Sequence, residues 1–151
     1  MADAKIENKS LWLVTNVGSC IALCMYDKFN RCGGMAHIML PKSNGNGARV
    51  LPYKYADTAV PALANAIRKM GNGKSFLIAK IAGGASMFSD IKCHLIKIGQ
   101  KNIETVKEAL SANNIPLVAE DVGGNHGRKI AFNVTTGTVI VRSLNGVEKK
   151  L

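Results

Sequence analysis

Apolar residues along this chain fall into two kinds of pattern. Between Asp57 and Met70, the residues Val60, Leu63, Ala64, Ile67 and Met70 recur at intervals of three and four, which lines them along one stripe of a helix. Asp57 stands where a cap belongs, Gly71 where a helix stops, and Pro61 is tolerable in a first turn. A second helix, from about Asn102 to Ala112, turns Ile103, Val106 and Leu110 inward and ends before Asn113 and Asn114. Elsewhere the apolar runs are short and rich in β-branched residues: Leu11–Thr15, Ser19–Tyr26, Gly34–Leu40, Phe76–Ala82, Leu117–Asp121, Lys129–Val134 and Thr138–Arg142. Stretches rich in Gly and Asn separate them, at Lys42–Gly47, Gly71–Lys74, Gly123–Gly127 and Asn145–Gly146. Residues 1–10 carry neither period and are expected to form a flexible or edge N-terminal segment. Two helices among seven short strands predict a layered α+β domain, because regular βαβ winding would alternate the elements more evenly.

Composition narrows the class. A chain of 151 residues with 47% hydrophobic residues fits one domain with a true core. No apolar stretch approaches the length of a membrane span, and MADAKIENKS lacks the apolar run of a signal peptide. The expected location is therefore the cytoplasm, with Cys20, Cys24, Cys32 and Cys93 as reduced thiols. Twenty Lys and Arg against ten Asp and Glu give a formal charge of +10, which attracts polyanions. Nucleic acid is the first partner such a charge suggests. The basic residues are scattered, however, and one Trp, three Tyr and four Phe offer little for base stacking, so nucleic acid is not expected as a partner.

The residues that bear chemistry cluster early. Gly18-Ser19-Cys20 precedes an apolar strand, a turn follows over Asp27–Gly33, and the next strand carries His37. Two strands joined this way can lie side by side, bringing Cys20 near His37. A thiol that reaches an imidazole can pass it a proton and become the nucleophilic thiolate. Gly18 and Ser19 let the backbone turn sharply and offer N–H groups to a developing oxyanion. Against this stands the plainer possibility that a Cys in an apolar strand is a small buried hydrophobe. Cys24, four residues on, shares the face of Cys20 and belongs to the core, while Cys93 beside His94 reads as an exposed thiol. A zinc site built from Cys20, Cys24, Cys32 and His37 competes, but the spacing lacks a second close Cys pair or a His-x₃₋₅-His pair. The Gly83-Gly84 and GGNHGR glycines lack the Gly-Lys-Ser/Thr of a phosphate loop and read as tight turns beside the Cys–His strand pair.

Six blocks in register carry a resemblance. GSCIALCMYD (18–27), GGMAHIMLP (33–41), KYAD (54–57), AKIAGGASMF (79–88), IGQKN (98–102) and AEDVGGNHGRKIAFNVTTG (119–137) closely resemble the CheD family of chemoreceptor glutamine deamidases, over about residues 11–142. The resemblance implies hydrolysis of receptor glutamine side chains to glutamate by a Cys, a His and a Thr, without metal or organic cofactor. It implies a β-sandwich with helices on one side, like that of toxin deamidases. Carried over, the Cys is Cys20 and the His is His37; Thr15, five residues before Cys20, is the counterpart of the Thr, with Ser10 and Ser19 as weaker hydroxyls. Lys101 stands where the family often has Arg, which keeps the charge and loses the planar fork. His126 is taken as a loop residue. The implied partners are the acidic cytoplasmic helices of chemoreceptors and a CheC-type phosphatase. Binding and stimulating that phosphatase is the alternative role, and a monomer is expected.

Overall fold

The structure, a computed structural model, describes residues 3–45, 51–86 and 97–151. The core is organised around one strand, β3 (Ile21–Asp27), whose near-continuous apolar run is buried on both faces. Because side chains alternate, Ile21, Leu23 and Met25 point one way and Ala22 and Cys24 the other. The first set joins a core beneath the helices; the second joins a core between two sheets.

Around it the chain runs β1 (Ala4–Glu7), β2 (Trp12–Val17), β3, β4 (Cys32–Ile38), α1 (Ala56–Met70), β5 (Leu77–Gly83), α2 (Ile98–Ala112), β6 (Leu117–Val122), β7 (Arg128–Asn133), β8 (Val139–Ser143) and β9 (Glu148–Lys150). One sheet has the order β1-β4-β3-β5-β6, with β5 and β6 parallel and its other pairs antiparallel. The other is antiparallel, β2-β7-β8-β9. The architecture is thus α+β in three layers, with both helices on one side of the larger sheet and the smaller sheet on the other. No helix among the described residues is long and apolar enough to cross a membrane.

The seven strands expected from the sequence are present with ends displaced by a few residues, and β1 and β9 add to them. β1 lies on the open edge of the larger sheet, paired to β4 alone. Several details differ from expectation. Helix α1 opens at Ala56 on a Tyr55 cap without a side-chain bond; Asp57 lies inside it, accepting from the Ser43 N–H at 3.1 Å and hydroxyl at 3.2 Å. Pro61 consequently sits in the second turn, where it forgoes an i→i−4 bond. Met70 ends the stripe half-exposed rather than buried. Helix α2 begins at Ile98, a turn before Asn102, and Ile103, Val106 and Leu110 are buried. Cys93 and His94, and the end of the Lys42–Gly47 loop, lie outside the described residues.

One buried carboxylate ties the far end of β3 to its neighbours. Asp27 is inaccessible to solvent and accepts from the backbone N–H of Phe29, Asn30 and Phe76, the Asn30 amide and the Ser75 hydroxyl, at 2.6–3.2 Å. Burial alone pushes this carboxyl up, but the hydrogen bonds outweigh it and hold it below its ordinary range.

Candidate active site

The opposite end of β3 gathers the residues that the sequence singled out. Cys20 immediately precedes the strand, and the antiparallel register pairs Ile21 with Ile38 and Ala22 with His37. Cys20 therefore sits one residue before the last paired position, next to Ile21, with His37 one residue before its partner Ile38. Cys20 and His37 share the face of Ala22, Cys24 and Met35, which looks toward the smaller sheet. Thr15 comes from β2 on that other sheet, where it pairs with Ile130. Its Oγ1 lies 2.9 Å from His37 Nδ1, joining the two layers.

This contact sorts the imidazole nitrogens. With Nδ1 engaged by Thr15, His37 Nε2 is buried and has no hydrogen-bond partner among the described residues. The Cys20 thiol, half-buried and free, is on the right face but not bonded to Nε2. Burial raises the Cys20 thiol above its ordinary 9.0 and lowers His37 below its ordinary 6.5. Both shifts disfavour the charged forms of the two groups.

The backbone carrying Cys20 is held from behind. The carbonyl of Gly18 accepts from the Ala85 N–H at 2.8 Å, that of Ser19 from the Asn102 amide at 3.0 Å, and that of Cys20 from the Gly84 N–H at 2.8 Å. A planar trans peptide points its N–H opposite to its C=O. The N–H groups of Ser19 and Cys20 therefore face away from this support. The loop that supplies it is itself braced: Gly83 O accepts from Gly123 N at 2.9 Å, and Ser86 N donates to Gly124 O at 2.8 Å. Arg128, buried on β7 beside Val17, donates to the carbonyls of Gly123 and His126 and pairs with Asp121 at 3.2 Å. The glycines expected as tight turns beside the strand pair are this brace. At Gly83 the φ of +118° excludes ordinary side chains, and a Cβ there would overlap the Cys20 carbonyl oxygen. Gly83→Ala is expected to lower activity at least 10-fold by shifting Cys20, with a smaller loss of thermal stability; paired rate and melting measurements test this.

Two surface depressions open onto these groups. One of about 180 Å³ is lined by Asp3, Ala4, Lys5, Val14, Thr15, Met35 and His37. Another of about 250 Å³ touches Asn16, Val17, Gly18, Gly127, Arg128 and Leu144. Of the weaker hydroxyls, Ser10 is exposed outside the strands, and Ser19 contributes its backbone carbonyl to Asn102. Lys101 is exposed on α2, and His126 lies in the 123–127 loop, 3.4 Å from Asn125. The competing metal set is not assembled. Cys32 lies in the helix-side core, across the sheet from Cys20, Cys24 and His37, and no cluster of three potential ligands occurs among the described residues.

The sequence pattern alone points to no role for Asn102 or Arg128. Asn102 lies four residues before Val106 and eight before Leu110, so the apolar stripe of α2 already runs through it. A polar residue on such a stripe is the signal that marks it.

Fold and site together define a three-layer α+β sandwich that gathers a thiol, an imidazole and a hydroxyl where its two sheets meet. Comparison with known proteins gives the particular lineage. A family model described as CheD chemotactic sensory transduction matches residues 39–143. A Thermotoga maritima protein named chemoreceptor glutamine deamidase CheD is 44% identical over 146 residues, covering 97% of this chain and 90% of its own length. Relatives also named CheD come from Desulfitobacterium hafniense, 47% identical over 99% of this chain and 94% of theirs, and Methanococcus maripaludis, 43% identical over 99% and 95%. This chain belongs to the CheD family. The alignments with relatives include the Thr15–His37 stretch, which the family model does not reach.

Proposed function

We propose that this protein hydrolyses glutamine side chains of chemoreceptors to glutamate, with Cys20 as nucleophile, His37 as base and Thr15 as the residue that orients His37. The observation that carries the assignment is the division of labour on the imidazole: Nδ1 bonded to Thr15, Nε2 buried and unpartnered among the described residues beside the Cys20 face. If Nδ1–H donates to Thr15 Oγ1, Nε2 carries the lone pair that a base needs.

The chemistry then runs in two halves. Nε2 takes the Sγ proton as the thiolate adds to the amide carbon, and the carbonyl oxygen becomes an oxyanion. The N–H groups of Ser19 and Cys20, turned away from the support by the anchored carbonyls of Gly18 and Ser19, would receive it. Protonated His37 gives its proton to the leaving nitrogen, ammonia departs, and a thioester remains. His37 then deprotonates water, which attacks the thioester and releases glutamate and the thiol. Glutamine and water become glutamate and ammonia, and no metal or organic cofactor enters. The formal charge of +10 favours encounter with acidic receptor helices, raising association rate more than final affinity. The protein would act as a monomer in the cytoplasm, transiently at receptor arrays.

Mass spectrometry of a receptor cytoplasmic fragment, incubated with wild-type protein or Cys20→Ala, tests the assignment. Each converted amide adds about one mass unit, and Cys20→Ala is expected to abolish the gain. Conversion by Cys20→Ala at the wild-type rate would refute the nucleophile. Stimulation of a CheC-type phosphatase by Cys20→Ala in the absence of any deamidation by wild type would favour the regulatory role instead.

A further inference from the structure

Asn102 is fully buried on α2, on the side of the larger sheet away from Thr15, and lines neither surface depression. Both protons of its side-chain amide are in use: Nδ2 donates to Ser19 O at 3.0 Å and to Met39 O at 3.0 Å. Those carbonyls belong to the residue just before Cys20 and to the residue two beyond His37. One side chain thus bridges the two backbone segments whose separation sets the thiol–imidazole distance. The bridge lies where the sheet's own ladder runs out, since the β3–β4 pairing ends at Ile21–Ile38. Meanwhile Asn102 Oδ1 is buried without a hydrogen-bond partner among the described residues. An unpaired buried acceptor is costly, so burial of this amide is not explained by packing alone.

We propose that Asn102 is a positioning residue, a clamp that sets the geometry of Cys20 against His37; the proposal rests on the reading that these two carry the reaction. No residue of similar size replaces it. Aspartate would turn two acceptors toward two carbonyls, and leucine would leave both carbonyls buried without a donor. The clamp touches neither substrate nor reacting atoms, so its loss should appear in turnover and not in substrate binding. A displacement of about 1 Å between reacting groups is worth on the order of 100-fold in rate.

The experiment compares wild type, Asn102→Ala and Asn102→Ser, each checked for folding by thermal melting, in His37 and His37→Ala backgrounds. It reads kcat and KM for glutamine deamidation, together with the pH dependence of Cys20 alkylation by iodoacetamide, followed on the Cys20 peptide. Asn102→Ala is expected to lower kcat about 10- to 100-fold with KM within about 2-fold. Its alkylation profile should move toward that of His37→Ala, and the double variant should move no further. Asn102→Ser, which retains one donor, should fall between, and it carries the test if the Ala variant is unfolded at assay temperature. A folded Asn102 variant with wild-type kcat and wild-type alkylation profile would overturn the proposal. Failure of the parent reading has a separate signature: His37→Ala itself would then leave kcat and the Cys20 profile unchanged, and the clamp would have nothing to position.

Discussion

Replacing His37 with alanine will lower kcat/KM for glutamine deamidation by about 10²- to 10⁴-fold, the range that a positioned base supplies. Its pH dependence will identify the proton that is lost. Since burial lowers His37 below its ordinary 6.5, Nε2 remains a free base into mildly acidic solution. The wild-type rate should therefore rise through a pKa below 6.5 and then level off. Since burial also raises Cys20 above its ordinary 9.0, no second inflection is expected until the solution is more alkaline than that. A preformed thiolate–imidazolium pair would behave differently, with the thiolate already present in acid and loss of rate as the imidazolium, held up by the thiolate, deprotonates in alkaline solution. In His37→Ala the acidic limb should vanish. A rate profile of kcat/KM from pH 5 to 10 for both proteins decides the matter, and an unaltered acidic limb in the variant would remove His37 from the reaction.

The largest effect on stability is expected at the other end of β3. Asp27→Ala removes a buried acceptor that satisfies five donors, leaving several of them to find water or none. A cost of about 3–5 kcal/mol is expected, or a melting temperature lower by roughly 10 °C. The contribution depends on pH in a defined sense. The folded carboxyl titrates below its ordinary 3.8, so its stabilisation is complete above that value and is lost as pH falls through the lower, folded one. Urea melts at neutral pH and in acid measure the difference. If the gap between wild type and Asp27→Ala fails to narrow in acid, the ionised carboxylate is not what holds the turn.

Much of this arrangement is legible in the residues because it depends on period and parity. The three-and-four spacing of Val60, Leu63, Ala64 and Ile67 marks α1, and these residues are buried. Even positions of β3 share a face, so Cys24 follows Cys20 into the inter-sheet core. What escapes the sequence follows from weaker signals. Ala4–Glu7 alternates over too few residues to stand out, and Glu148–Lys150 is wholly charged, so it is pairing to β4 and β8 that makes them strands. The first turn of α2 contains Gly99 and has no acidic residue, so nothing local announces it. Asn102 acts on backbone carbonyls alone, and Arg128 on two of them besides Asp121; every residue possesses such carbonyls. Such targets leave no trace in side-chain identity and become visible only when the chain is folded.

The bond between Thr15 and His37 spans the seam between the two sheets, and Cys20 lies on the seam's larger side. A chain that has built only one sheet therefore holds an incomplete set of reactive groups. On the proposed mechanism, molecules that have formed the larger sheet alone would hold the thiol and the base without the hydroxyl that orients the imidazole, and would convert glutamine poorly. If Thr15 orients His37 as proposed, the gain of full activity during refolding would report the docking of one sheet on the other.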